Sequence, residues 1–295
     1  MENNIFYRIK YAKFNASLLR MILGLYFKEG RIYRIACGPL KGMKMYYDSS
    51  VNFHAILGLW DLDIFEWLEN LFVKGGLFKE SMIVCDAGAN IGIYSFWFTK
   101  YLPAGGQVYS FEPLPNIAQR LRENLLLNNI TNATVAEYAC SDWTGETDFF
   151  VGHHHQASSL CVNWASESGK ICPQRITVKS ITLDSFFYET GNGIGPDFIK
   201  MDINGGGVFA LKGCHECITH KRPFFLIESH TPDEDRAISD MAVKYSYKAY
   251  RLSNHRWVRE NTEIYPHPEG IWGDLFLCPE ELYYKIAHLN KQKNF

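Results

Sequence analysis

A chain of 295 residues is long enough for one large core or two smaller ones. Its 47% hydrophobic and 21% charged residues exclude a disordered chain, a collagen-like fibre and a coiled coil. Thirty Lys and Arg against 32 Asp and Glu leave a net charge of -2, so no basic field exists for a nucleic-acid backbone and nucleic acid is not an expected partner.

Charge is nevertheless uneven. Residues 1–45 hold nine Lys or Arg against Glu2 and Glu29, and apolar groups from Ile5 to Leu23 recur at helical spacing, which predicts one or two amphipathic helices within residues 5–34. Such basic helices have three competing roles: a lid or homodimer element packed on the rest of the chain, a peripheral anchor on anionic membrane through residues 1–34, or a solvated face. Packing is preferred, because a long apolar stripe is rarely left exposed. Arg20 breaks the most apolar stretch, Leu18 to Phe27, which is too short for a transmembrane segment and lacks a cleavage site of small residues. Neither a membrane span nor a signal peptide is predicted.

Arg31–Ala36 and Met43–Tyr47 flank the Gly38–Gly42 turn as two short strands, and two helical stretches lead to Lys74-Gly-Gly76, a natural boundary. Residues 1–78 are therefore a helical and hairpin cap, residues 79–282 the main domain and residues 283–295 a tail. Within the main domain, short apolar runs separated by helix-length segments begin at Met82, Val108, Val135, Phe198, Phe224, Lys248 and Leu275. Seven strands in this pattern predict an α/β fold with a mostly parallel sheet covered by helices on both faces. Cys85, Cys140 and Cys278 sit in such runs as buried thiols, consistent with a reducing, cytoplasmic location. Cys214-His-Glu-Cys217 is a single CxxC whose partners for zinc, Cys161 and Cys172, are only loosely placed.

Ligands in such sheets bind beyond the carboxyl ends of the strands, which directs attention to Asp86-Ala-Gly88-Ala-Asn90-Ile-Gly92. A dinucleotide fingerprint starting at Gly88 would need glycine at 90 and 93, where Asn90 and Ile93 stand. An NAD-dependent oxidoreductase is disfavoured on that ground. An acidic strand end suits an ammonium group better than a pyrophosphate, and Glu112 in Phe111-Glu112-Pro113 stands where a carboxylate can accept two ribose hydroxyls.

These motifs, with Leu121-Arg-Glu-Asn124, Ala139-Cys-Ser141-Asp142, Ala157-Ser-Ser-Leu160, Thr182-Leu-Asp184, Ile199-Lys-Met-Asp202, Glu228-Ser-His230 and Asp274-Leu-Phe-Leu277, resemble the FkbM family of class I S-adenosylmethionine-dependent methyltransferases from Asp86 to about Pro279. The resemblance implies a Rossmann-like seven-stranded sheet with an antiparallel last strand. It places Asp86, Gly88, Asn90 and Gly92 around the amino-acid portion of S-adenosylmethionine, Glu112 and Pro113 at its ribose, Ser141 and Asp142 at its adenine edge and Asp202 near the sulfonium. The implied reaction is O-methylation of a sugar, glycan or other small molecule. One departure stands out: the family places acidic residues around the glycine after the fourth parallel strand, whereas here Asn204 and Gly207 replace them. A cofactor-binding protein with weak or no transferase activity is therefore the alternative.

A hydroxyl acceptor must lose a proton, and His230, after the fifth parallel strand, is the leading candidate base, with His154 in His153-His-His155 the runner-up. Asp202, Glu228 and His230 together offer oxygen and imidazole groups to a divalent metal, a possibility that the sequence leaves open.

Overall fold

The computed structural model describes residues 26–48, 53–152, 158–166, 172–191, 193–252, 256–257 and 273–287. The helices expected before residue 26, and His153, His154 and His155, lie outside the described residues. The first described elements form a hairpin of β1 (Ile32–Arg34) and β2 (Lys44–Tyr46), antiparallel as the Gly38–Gly42 turn predicts. Helices α1 (Phe53–Leu57) and α2 (Leu62–Leu68) follow, and α2 widens into a π turn over Glu69–Lys74.

The main domain alternates strand and helix: β3 (Ile83–Ala87), α3 (Ile93–Tyr101), β4 (Gln107–Phe111), α4 (Pro115–Leu127), β5 (Ala133–Ala136). The chain then leaves the sheet to build β6 (Ala139–Cys140), β7 (Gly145–Val151), α5 (Val162–Ala165) and β8 (Gln174–Ile181) before returning. It re-enters as β9 (Phe198–Met201), α6 (Gly207–Lys212), β10 (Phe224–Ser229) and α7 (Pro232–Lys244). It closes with β11 (Tyr247–Arg251), β12 (Arg256–Trp257), β13 (Gly273–Pro279) and α8 (Glu280–Ala287).

The large sheet has the order β12-β11-β13-β10-β9-β3-β4-β5, in which β5, β4, β3, β9 and β10 run parallel and β13 is antiparallel to both its neighbours. This is the seven-stranded, mostly parallel Rossmann-like sheet with an antiparallel last strand that the resemblance implies, with the two-residue β12 added at one edge. A second sheet, β6-β8-β7, stands apart from it. The run expected from Val135 to Ala139 is thus divided between the two sheets, β5 ending at Ala136 and β6 starting at Ala139.

Strand alternation sorts the apolar side chains onto two faces. Val84, Val108, Phe198, Leu226 and Phe276 meet Trp97 and Phe98 of α3, Leu121 of α4 and Phe65, Leu68 and Phe72 of the cap. Cys85, Phe111, Ile199, Phe225 and Leu277 meet Leu211 of α6 and Ile238 and Met241 of α7. Phe72, fully buried, packs its ring edge-on against Phe198 at 5.1 Å and Phe224 at 5.2 Å between centroids. The described part of the cap therefore shares one core with the sheet. Polar contacts join them too: the buried Asn124 of α4 accepts the Tyr46 N–H at 2.9 Å and donates to the Ile91 carbonyl at 3.0 Å, linking hairpin and glycine turn.

Cys214 and Cys217 are buried and, like the other six cysteines, unbridged. Neither joins a metal-ligating cluster among the described residues. No helix among them is long and apolar enough to cross a membrane.

Candidate active site

Strand order reverses between β9-β3 and β3-β4, and a cavity opens at the carboxyl ends there. Gly88, Asn90, Glu112, Lys200, Asp202 and His230 are among its lining residues.

The turn after β3 needs left-handed backbone at Gly88 (φ 78°), Asn90 (φ 51°) and Gly92 (φ 103°). A Cβ on Gly88 would lie 1.9 Å from the Asp202 carbonyl oxygen, so only glycine lets the first turn touch the end of β9. Gly92 serves a different contact, since a Cβ there would strike Leu121 Cδ1 at 2.4 Å. The turn's own N–H groups are spent internally: Gly88 and Ala89 donate to the Phe111 carbonyl and Asn90 to Glu112 Oε2 at 3.1 Å. A loop that uses its donors in this way makes a poor pyrophosphate cradle, which agrees with the failed dinucleotide spacing. Glu112 also accepts the Leu114 N–H at 3.0 Å through Oε1, so both carboxylate oxygens are fixed while the side chain faces the cavity.

Asp86, expected on the ligand, sits behind the cavity wall. Strand parity turns it with Val84 toward α3, where Oδ2 accepts from Ser95 Oγ at 2.7 Å and Oδ1 lies 3.7 Å from Lys200 Nζ. Burial pushes its pKa up, while Lys200 and Ser95 pull it back. Ser141 and Asp142 are also off the wall, which on this segment is made by Tyr138, Ala139 and Cys140. Ser141 is buried, with its N–H on the Ile181 carbonyl, and Asp142 is exposed. Pro113 lines the cavity as expected.

Charged groups crowd the far end. Lys200 Nζ lies 3.5 Å from Asp202 Oδ2 and 4.7 Å above the Tyr94 ring. Burial alone would lower its pKa, but Asp202, Asp86 and Glu228 raise it overall. His230 Nε2 is 3.5 Å from both Asp202 Oδ1 and Glu228 Oε1. Burial opposes its charge, yet Glu228 and Asp202 carry its pKa to about 9. In the unliganded chain the two carboxylates thus hold the imidazole toward its charged form, in which it is not poised to accept a proton until a ligand changes that balance. Asp202 lies below the ordinary carboxylate range: burial would raise it, but Lys200 and His230 prevail.

Two further carboxylates, both missed in the sequence, complete the cluster. Asp274 of β13 is the cross-strand partner of Glu228, and burial with the charges of Glu228 and Asp61 raises its pKa strongly. Asp61 comes from the cap. It stands at the N-cap of α2 without capping it, at a left-handed φ of 43°, and Oδ2 accepts from Tyr94 Oη at 3.0 Å instead. Burial, then Glu228, raises its pKa to about 6. In sequence Asp61 carries only the signature of a helix start, so nothing marks it as a site residue; its neighbour Trp60 lines the cavity.

A family model described as the methyltransferase FkbM domain matches residues 86–263, more than half of the chain. The chain belongs to the FkbM methyltransferase family. A methyltransferase FkbM structure from Methylobacillus flagellatus KT is 17% identical, with 79% of this chain and 56% of that one covered and a TM-score of 0.42. The chain thus spans little more than half of that protein. An S-adenosylmethionine-dependent O-methyltransferase from Thermotoga maritima is 11% identical, with 85% and 78% covered and a TM-score of 0.41. A precorrin-6y C5,15-methyltransferase from Geobacter metallireducens is 11% identical, with 73% and 85% covered and a TM-score of 0.41. No curated protein matches the chain in sequence.

For an FkbM-family chain, the absence of acids at 204 and 207 has a structural counterpart. The space beside Gly207 is filled by Glu234 of α7, whose Oε1 accepts the Gly207 N–H at 3.0 Å and would lie 2.8 Å from any Cβ at 207. Glu234 Oε2 accepts the His230 N–H at 2.8 Å, and the residue is 1% exposed. Asn204 (φ 51°) lines the cavity, its carbonyl accepting from Ser159 Oγ and its Nδ2 donating to the Ser158 carbonyl at 3.4 Å.

Proposed function

We propose that this FkbM-family chain uses S-adenosylmethionine to methylate a hydroxyl oxygen of a sugar, glycan or other small hydroxylated molecule. The reading is carried by one observation: a single cavity joins a locked carboxylate, Glu112, at one end to a dense carboxylate, lysine and histidine cluster at the other. The residues fit the cofactor. Glu112, held by the Asn90 and Leu114 N–H groups, would present its remaining lone pairs to ribose hydroxyls, and Gly88 and Asn90 would face the amino-acid end. The acidic cluster favours a sulfonium over an anionic ligand.

When bound, the cofactor supplies an activated methyl group for in-line transfer to the acceptor oxygen, leaving as S-adenosylhomocysteine. The protein must align the acceptor and take the hydroxyl proton. Asp61 does not itself line the cavity, but Tyr94 does and donates its hydroxyl to Asp61 Oδ2 at 3.0 Å, so the acceptor's proton would pass to Tyr94 as the Tyr94 proton passes to Asp61, a carboxylate more basic than an ordinary one with a pKa of about 6. Asp202 and Glu228 would orient the acceptor, and His154 keeps a possible part in the acceptor pocket. The catalytic unit in this proposal is residues 79–282 in a cytoplasmic protein, with the cap of residues 1–78 supplying Trp60 and Asp61.

Calorimetric titration with S-adenosylhomocysteine and with NAD, followed by transfer of a radioactive methyl group to a panel of methyl glycosides and polyols, tests the reading. Binding of NAD alone would overturn it. Tight S-adenosylhomocysteine binding without transfer to any hydroxyl would favour the cofactor-binding alternative.

A further inference from the structure

We propose that Asp202, Glu228 and His230 form a divalent-cation site of the Mg²⁺ or Mn²⁺ class on the acceptor side of the cavity. The three residues come from the ends of two adjacent parallel strands, and each offers one ligand atom within 4.8 Å of the others. His230 Nε2 stands 3.5 Å from Asp202 Oδ1 and 3.5 Å from Glu228 Oε1. Two ligands about 2.1 Å from one ion lie about 3.0 Å apart at a right angle and about 3.4 Å apart at the tetrahedral angle. The observed spacing needs only a small closure to enclose an ion.

The surroundings are those of a ligand set. Behind His230, Nδ1 lies 3.8 Å from Glu234 Oε2, a carboxylate fixed by the backbone N–H groups of Gly207 and His230. That carboxyl stands near Nδ1, and an ion taken up at Nε2 would displace the proton held there between Asp202 and Glu228, replacing one positive charge by another. Lys200 engages the second oxygen of Asp202, Oδ2, so Oδ1 is the oxygen turned to the cluster. Asp61 adds a carboxylate near Glu228, whose charge in turn helps raise the Asp61 pKa. Two carboxylates and one imidazole without a thiolate form a mainly oxygen donor set that suits Mn²⁺ or Mg²⁺ with several waters retained.

Asp202 and Glu228 keep 31% and 38% of their side chains exposed, so the proposed ion faces the cavity and keeps positions for water or substrate oxygens. Its use rests on the O-methylation reading: an acceptor hydroxyl bound at such a position loses its proton more readily.

The test is titration of the EDTA-treated full-length protein with Mn²⁺, with the free-ion signal followed by electron paramagnetic resonance. One site is expected, and Asp202→Asn, Glu228→Gln and His230→Ala should each weaken it about tenfold or more, whereas Glu146→Gln, on the exposed β7, should not. Circular dichroism identifies any variant that fails to fold; the partly exposed Glu228→Gln is the least disruptive and suffices alone. Absence of Mn²⁺ binding to the wild type, or unchanged affinity in the folded variants, overturns the assignment. Parallel titration with S-adenosylhomocysteine separates the two readings: loss of the Mn²⁺ site with cofactor binding intact refutes only the cation, and Mn²⁺ binding without cofactor binding supports the cation and refutes the cofactor.

Discussion

Replacing Asp61 by Asn should make the protein more stable and a worse enzyme. The carboxyl pKa rises from 3.8 to about 6 in the folded chain, first through burial and then through Glu228, with the Tyr94 hydrogen bond offsetting part of this. A rise of roughly two units corresponds to about 3 kcal/mol against the charged form, and partial solvent access reduces this to about 1–3 kcal/mol. A raised acid binds its proton more tightly folded than unfolded. Between about pH 4 and pH 6 the folded state therefore holds more protons, and stability falls as pH rises through that window. Below it both states are protonated and the contribution vanishes; above it the penalty is complete. Asn retains an oxygen for the Tyr94 hydroxyl but cannot ionise. Urea unfolding should show Asp61→Asn about 1–3 kcal/mol more stable than wild type at pH 7.5 and within about 0.5 kcal/mol at pH 4. Methyl transfer should drop about 10²-fold or more, as expected for loss of a general base. A stability difference independent of pH, or a variant less stable at pH 7.5, would refute the reasoning.

Glu112→Ala should weaken S-adenosylhomocysteine binding by about 2–4 kcal/mol and lower stability, because the same carboxylate holds the Asn90 and Leu114 N–H groups. Unchanged affinity by calorimetry would leave Glu112 a purely structural residue. Phe72→Ala should cost about 3–5 kcal/mol in one cooperative unfolding transition, since its ring is wedged between Phe198 and Phe224; a separate early transition for the cap would contradict the shared core. Gly207→Glu should destabilise the fold by forcing a second carboxylate against Glu234, and Glu234→Gly in the same chain should restore part of the loss. Additive effects in that double-mutant cycle would show that the two positions do not compete.

The sheet was legible because strands buried on both faces read as unbroken apolar runs, as in Phe224-Phe-Leu-Ile227. Strands β7 and β8 went unread because each buries only part of its length, so their polar positions resemble a loop insert. Turn signatures mark Gly88, Asn90 and Glu112 in the sequence, and the fold brings the three to one cavity. Orientation is what a strand end does not reveal: alternation points Asp86 at Ser95, behind the residues that line the cavity. Asp61 and Asp274 were invisible for a different reason. Each contributes through contacts with chain segments far away in sequence, and locally they look like a helix start and a strand end.

Glu234 shows the same principle at the position where the chain departs from its family. A glutamate was expected at 207, and its absence suggested a binding protein without transfer activity. In the fold, a carboxyl group still stands beside residue 207, supplied by α7 and held by the Gly207 and His230 N–H groups, with burial pushing its pKa up. Glycine at 207 is what admits it, because a Cβ there would press on Oε1. The two residues form one spatial unit, a small backbone position and a carboxylate brought from 27 residues away. That unit also orients His230, and through it the proposed cation site. Loss of an acid in the linear motif is therefore weak evidence against transfer here, since a carboxyl group has moved in sequence and stayed in space.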